Sequence, residues 1–389
     1  MPEDVTAPVN LVDTGSTFDG TDRPEPGVGL CLSGGGYRAM LFHVGSLWRL
    51  NQLGYLPKLA RISSVSGGSI TAGVLGFKWG RLDFDGNGVA RAFDAEVVQP
   101  VRGLASTTID EGAILGGVFL PGSISDKIVD AYRQHLFGHA TLQDLPFDPP
   151  RFVINATNVQ SGALWRFSKP FMADFRVGMV RNPKTELAVA VAASSAFPPV
   201  LSPVKIELNA ADYEPPSGQG SEDLHAGDFM TDVVLTDGGV YDNLGLETVW
   251  KRYQTVLVSD GGGKLAPEEH PKVDWARHAL RVNELIDNQV RSLRKRLLIE
   301  SYRRQDRLGT YWGVRSLVSD YHVTDALPCP PDKTLILANT PTRLKRLEPL
   351  LQERLINWGY AMCDVAMRSW VDPHLARPSG FPYPASGVG

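Results

Sequence analysis

Apolar and polar positions along the chain fall into segments of distinct period. The apolar run VGLCLS, residues 28–33, ends at three glycines, Gly34 to Gly36. Beyond them YRAMLFHVGSLWRLNQLG sets Leu41, Val44, Leu47, Trp48 and Leu50 at helical spacing and stops at Gly54. The pattern predicts a strand, a glycine loop and an amphipathic helix. It then recurs: Ile62–Val65 reads as a short strand, Ser66–Gly68 as a turn, and SITAGVLGFKWG as a helix of small residues able to pack closely on a sheet. Two strand-to-helix units in the first 80 residues imply a parallel sheet.

Further strands are expected at RFVINATNV, LWRFSK, VVLTDGG and QTVLVSDGGG, and an exposed loop at NAADYEPPSGQGSEDLHAGD. Between them, residues 105–145 hold a glycine-broken apolar stretch and an amphipathic helix, a pattern that serves a lid or ordinary packing alike. A basic helical segment is predicted over 281–308 and another helix from Pro341 to about Trp370. Residues 1–26 lack periodicity and read as a flexible arm, and 373–389 as a loose tail. One α/β domain over 27–372 is left between them.

Composition narrows the function classes. Of 389 residues 43% are hydrophobic and 21% charged, and the net charge of −4 offers no general basic field for nucleic acid. Cys31, Cys329 and Cys363 form no CxxC pair, which argues against a disulfide framework or zinc site and fits a reducing compartment. MPEDVTAPVN has no signal-peptide pattern, and no apolar run approaches a membrane span. The expectation is a cytoplasmic protein able to touch membranes peripherally; secretion without a cleaved signal leaves no trace in such a test.

Four groups of residues could carry chemistry. In SVSGG, Ser66 stands at the turn from strand to helix, where small neighbours allow close crossing and the helix N-terminus favours developing negative charge. In SGGGYRA the three glycines can turn bare N–H groups into one concavity, as an oxyanion requires. No GxGxxG or GK[ST] pattern supports phosphate cradling there. Arg38 follows as an anchor for the loop or a carboxylate. Asp237 in LTDGGVYDN and Asp260 in VSDGGG both end strands ahead of glycines, and on residue chemistry they tie as proton acceptors.

Other motifs carry less. DFDGNGVARAFD places Asp83, Asp85, Asn87 and Gly88 as in a calcium loop, but Asp94 is short for its last position and Arg91 occupies the ninth. An acidic turn is the expectation, with no metal and no cofactor. The segment 281–308 holds eight Lys or Arg against four acids, a charge pattern suited to a solvated face or to anionic lipid. His43 lies inside the first helix, where packing is the default, and His135 and His139, spaced i, i+4, have no third ligand.

LSGGGYRAMLFHVGSLWRL, SVSGGS, AASSAFPPVLSPV and LTDGGVYDNLGLE stand in the order seen in the patatin-like phospholipases, and LINWGYAMCDVAMRSW resembles that family's closing helix. The likeness covers roughly residues 28–250. It implies a patatin-like α/β fold, a central mostly parallel sheet with helices on both faces, and a serine lipid acyl hydrolase. Ser66 matches the nucleophile, Asp237 its base, and Gly34, Gly35, Gly36 with Arg38 the oxyanion loop; Asp260 matches no catalytic position. Three departures stand out: Ser64 replaces the elbow's first glycine, Ala39 the glycine often following the arginine, and Ser33 the aspartate of plant members. Phospholipid or lysophospholipid is the substrate class the resemblance implies. Two other readings stand beside it: a lipid-binding or regulatory protein without turnover, against which intact Ser66 and Asp237 argue, and a nucleotide-binding α/β protein.

Overall fold

The computed structural model describes residues 24–110, 123–199, 201–216 and 224–389. Residues 1–23 of the expected arm, 111–122 of the stretch weighed as a lid, and 217–223 of the expected loop lie outside the described residues.

Strand β1 (Glu25–Leu32) passes through the glycines into α1 (Gly36–Gln52), and β2 (Leu59–Val65), parallel to β1, passes through Ser66 into α2 (Gly67–Lys78). After α3 (Gln99–Ala105) and α4 (Ser123–Tyr132), β3 (Arg151–Asn158) joins parallel to β2. The antiparallel strands β4 (Leu164–Phe167), β5 (Phe171–Asp174) and β6 (Gly178–Arg181) follow, then α5 (Leu187–Ser194), β7 (Val204–Glu207) and β8 (Tyr213–Glu214). β9 (Asp232–Asp237) returns antiparallel to the end of β3, and β10 (Tyr253–Asp260) lies parallel to β1. The chain closes with α6 (Trp275–Arg303), β11 (Leu308–Gly313), α7 (Pro331–Ala338) and α8 (Pro349–Trp370).

These strands build one mixed sheet in which β11-β10-β1-β2-β3 run parallel and β4-β5-β6-β8 continue antiparallel, with β9 and β7 beside β3. Both faces of its centre are covered. Leu30, Leu32 and Leu257 enter the large core with residues of α1, α2 and α8, whereas Cys31, Val256 and Val258 join Leu244, Val249 and Leu298 on the opposite face. A strand alternates its side chains, so a run buried on both faces reads as continuously apolar, which is how VGLCL and VLV appear. Because every parallel strand points the same way, the loops after β1, β2 and β10 gather at one end of the sheet.

Three expectations differ in detail. The last long helix begins at Pro349 rather than Pro341, because residues 340–344 are engaged in bracing the glycine loop: Tyr37 N–H donates to the Arg343 carbonyl at 3.0 Å. The basic helix runs from Trp275 to Arg303, starting earlier and giving way to β11. The C-terminal residues 373–389, expected to be loose, form no helix or strand but are pinned. Asn357 donates to the carbonyls of Tyr383 and Gly387 at 2.8 and 2.7 Å, and Val388 is buried.

Candidate active site

The elbow after β2 is built as its small residues require. Ser66 has φ 52° and ψ −121°, a conformation costly for a residue with a Cβ, on the order of 1–3 kcal/mol. It persists because the surroundings fix it. A Cβ on Gly67 would stand 2.3 Å from the Gly36 carbonyl oxygen and one on Gly68 2.4 Å from that of Leu32, so only glycine lets the two strand-to-helix turns cross this closely. The Ser66 N–H donates to Ser194 Oγ at 3.0 Å.

Of the four serines in RISSVSGGSI, three are tied down. Ser63 Oγ donates to the Gly245 carbonyl at 2.6 Å, Ser64 Oγ to that of Val153 at 3.3 Å, and Ser69 Oγ lies 3.0 Å from Ser64 Oγ and 2.8 Å from Ser194 Oγ. Ser64, in place of a glycine, is thus absorbed by a buried hydroxyl chain. Ser66, at 8% exposure, holds its hydroxyl above the N-terminus of a twelve-residue helix, with the Asp237 carboxyl as its partner.

Asp237 ends β9 and faces that hydroxyl. Its carboxyl is pushed up to about 7, chiefly by burial; the Gly239 N–H and the Ser66 hydroxyl favour its ionised form, and the nearby charge of Asp287 opposes it. Gly239 N–H donates to Oδ1 at 2.7 Å, while Oδ2 makes no hydrogen bond of ordinary distance and angle. The oxygen left over is therefore available to a proton. The strand is locked in place by Asp237 N–H donating to the Ala196 carbonyl at 3.0 Å and Gly238 N–H to that of Ser194 at 3.2 Å.

Asp260 has the opposite environment. Burial raises its proton affinity, but Lys295 and Arg291 override this and hold it well below the usual carboxylate range. Lys295 pairs with it directly, Tyr311 Oη donates at 2.8 Å and the Gly262 N–H at 2.9 Å. A carboxylate so saturated is a poor proton acceptor. The tie between the two Asp-Gly-Gly runs is broken by surroundings that the local sequence does not contain.

The glycine loop lies over the elbow: a Cβ on Gly34 would be 3.1 Å from Ser66 Cβ. Gly34 N–H is already donated to the Asn243 carbonyl at 3.0 Å, whereas Gly35 and Gly36, at φ 143° and 59°, donate to no protein acceptor among the described residues. Arg38 is buried and fully engaged: Nε donates to the Gly261 carbonyl at 2.9 Å, one terminal nitrogen to that of Thr340, the other to Thr342 Oγ1 at 2.8 Å. It holds the loop rather than facing Ser66.

His43 is fully buried and pushed down to about 4 by burial. Its Nε2 sits 2.9 Å from the Ser33 carbonyl and must carry the proton; Nδ1, 2.8 Å from Ser259 Oγ, accepts. Both nitrogens are spent on structure. His135, His139, His270, His278, His322 and His374 are exposed and His225 bonds the Val177 carbonyl. In the calcium-like loop, Asp85 Oδ1 accepts the N–H groups of Asn87 and Val89 at 2.8 and 3.0 Å and Asp83 pairs with Arg91, so the acids serve a turn. No group of three metal-binding side chains occurs among the described residues.

The family model of the patatin-like phospholipases matches residues 30–250, from the end of β1 past Asp237. The chain belongs to the patatin-like phospholipase family. That match gives the glycine loop, the elbow and the DGG turn a shared setting. Among solved structures it is similar to human GIVD cytosolic phospholipase A2, at 12% identity and TM-score 0.46 over 86% of this chain and 60% of that one. The same human protein in complex with methyl gamma-linolenyl fluorophosphonate aligns at 14% identity and TM-score 0.46, over 87% and 57%. VipD from Legionella pneumophila aligns at 16% and TM-score 0.34, over 87% and 66%. The chain therefore spans about 60% of the human protein's length. No curated protein matches it.

Three contributors in this patatin-like chain escape sequence reasoning. Ser194 and Ala196, from AASSAF, join the Ser66 turn to the Asp237 strand through three hydrogen bonds. Asn243 accepts from Gly34, and its side chain fills the space that a Cβ on Gly34 or Gly239 would need. The motif blocks contain all three, but only tertiary contact reveals their work.

Proposed function

We propose that the protein is a serine lipid acyl hydrolase acting on carboxylic esters of phospholipids or lysophospholipids through a Ser66–Asp237 dyad. The observation that carries this reading is the Ser66 hydroxyl at a helix N-terminus, facing a buried carboxyl raised to about 7. Ser66 Oγ attacks the ester carbonyl carbon as its proton passes to Asp237 Oδ2. The oxyanion is met by the N–H groups of Gly35 and Gly36, and the α2 dipole adds to its stabilisation. Collapse releases the alcohol, which takes the proton from Asp237, and leaves an acyl-enzyme. Water then attacks the acyl carbon, giving its proton to Asp237; the fatty acid leaves and Ser66 Oγ is reprotonated. Arg38 and Gly34 position the loop.

The lipid surface is engaged by α6. Trp275, Val282, Ile286, Val290, Leu293 and Leu297 lie along one stripe at helical spacing and all are exposed, Trp275 at 86%. The inward side is the one fixed to the body, where Leu298 is buried and Tyr302 Oη donates to the Val256 carbonyl at 2.8 Å. Asp287, on the same helix, is near enough to influence Asp237, so the stripe borders the site.

Hydrolysis of a short soluble ester by wild type and Ser66→Ala tests the chemistry. The variant, folded by circular dichroism, is expected to lose about 10⁴-fold or more in kcat/KM. Turnover within tenfold of wild type would refute Ser66 as nucleophile.

A further inference from the structure

The second Asp-Gly-Gly run takes no part in the chemistry of Ser66, yet it is built with comparable care. Residues Gly261–Gly263 pass directly against the glycine loop: a Cβ on Gly35 would stand 2.8 Å from the Gly261 carbonyl oxygen, the same oxygen that accepts from Arg38 Nε. Over this turn α6 and the end of β11 enclose a cavity of about 180 Å³.

Its walls are cationic. Lys264, Arg291, Lys295 and Arg315 line it, with Arg38 buried behind the turn, and Asp260 is its one acidic lining residue. Asp260 is already satisfied by Lys295, Tyr311 and the Gly262 N–H. Lys295 pairs with Asp260 directly; Arg291 feels the same carboxylate without an ion pair to it, and Arg315 pairs with no acid among the described residues. Arg291 makes no hydrogen bond or ion pair among the described residues, and its Nε is sheltered from solvent with nothing to accept its proton. Arg315 commits one terminal nitrogen, to the Ala338 carbonyl at 3.2 Å and Asn339 Oδ1 at 2.7 Å, while its Nε is likewise sheltered and unpartnered. The other acid near Arg291 is Asp287, one turn back on α6.

The guanidinium groups are close enough to repel. Arg38 is pushed down to about 10 by burial and then by Arg291 and Arg315, and Arg315 is lowered by burial and then by Arg291. Glycine keeps the floor of the cavity open: a Cβ on Gly262 would fall 2.5 Å from a terminal nitrogen of Arg291, which would have to move. Sheltered guanidinium N–H groups are expensive to leave unpaired, and water can accept their hydrogen bonds without offsetting their charge. A tetrahedral oxyanion does both, and bidentate geometry suits arginine.

We infer that this cavity is a binding site for a phosphate group, held by Arg291 and Arg315 with Lys264 at its rim. Two sources share that chemistry, a phospholipid headgroup and free phosphate. The headgroup source rests on the hydrolase reading above, and the layout accommodates it: the cavity backs onto the glycine loop that lies over Ser66, and Arg291 is one helical turn from Asp287, which influences Asp237. The site itself stands without that reading.

Calorimetric titration of inorganic phosphate into wild type, Arg291→Gln and Arg315→Gln tests the site directly. Wild type is expected to bind, and each variant at least about tenfold more weakly, the size of one charged hydrogen bond lost. Absence of binding to wild type, or equal binding by all three proteins, would overturn the inference unless the second measurement shows the lipid source. That measurement is the ratio of kcat/KM for phosphatidylglycerol over a diacylglycerol of the same acyl chains. A fall of about tenfold or more in both variants identifies the headgroup as ligand, and an unchanged ratio with weakened phosphate binding identifies free phosphate. If neither binding nor ratio depends on the arginines, the site does not exist. Should the arginine variants fail to fold, Lys264→Gln, on an exposed side chain, carries both measurements with the same direction expected. A wild type without any esterase activity would refute the hydrolase reading alone, since calorimetry still decides the site.

Discussion

Asp237 and Asp260 sit in nearly the same local sequence, a strand end followed by glycines, and the fold drives their proton affinities in opposite directions. Asp237 is buried with one oxygen unpartnered, and Asp260 is buried against Lys295 and Arg291. A base must be ionised to accept the proton of Ser66, so kcat/KM for a soluble ester should rise with pH and level off above about 7. An inflection near 4, the ordinary carboxylate range, would show that Asp237 is not the titrating base. The same shift has a cost in stability. A carboxyl whose folded pKa lies above its unfolded one destabilises the fold when ionised; the penalty is absent below about pH 4, grows as pH rises and is complete above about 7. Asp237→Asn should accordingly melt above wild type at pH 8, with the gap narrowing toward pH 5. A gap that widened on acidification would reverse the assigned direction.

At the scale of elements, two strand-to-helix turns and one strand end are held in register by α5 and the residue pair after it. Ser194 Oγ accepts the Ser66 N–H and donates to the Asn155 carbonyl at 2.6 Å, and its own carbonyl accepts Gly238 N–H. Ser194→Ala leaves the Ser66 N–H without its acceptor. The expected result is a loss of about 1–3 kcal/mol in stability by denaturant melts and a drop in kcat exceeding that in KM; an unaltered kcat would show that the elbow holds itself. Both turns were legible in the sequence because a break from apolar run to glycines to helical period is a local signal. β5 to β8 and β11 were not: several are only two to four residues long, and LGTYWG follows a basic helix without a turn signal. Residues 340–344 read as the start of a helix because nothing local shows that their carbonyls are needed by Tyr37 and Arg38. For the site, the candidate residues could be named in advance. What the sequence withheld was which N–H groups remain unpaired, since Gly34 gives its own to Asn243, a residue 209 positions away.

Over the whole molecule, one end of the parallel sheet collects the glycine loop, the elbow, the DGG turn and the cationic cavity, and α6 runs along its margin with an apolar stripe turned outward. No helix among the described residues is long and apolar enough to cross a membrane. Cosedimentation with phosphatidylglycerol vesicles should fall in the double variant Ile286→Glu, Leu293→Glu, and hydrolysis of vesicle lipid should fall with it by at least about tenfold more than hydrolysis of a soluble ester, given roughly 1.5–3 kcal/mol for each large apolar side chain buried. Equal losses on both substrates would mean that the stripe supports the fold and not the surface.

Whether Ser66 is the nucleophile, activated by Asp237, is decided most directly by covalent capture. Intact-mass and peptide mapping after exposure to a fluorophosphonate should find one adduct on wild type, on Ser66, none on Ser66→Ala, and slow formation on Asp237→Asn. An adduct that persists in Ser66→Ala, maps to another serine, or forms at wild-type rate in Asp237→Asn would contradict the account.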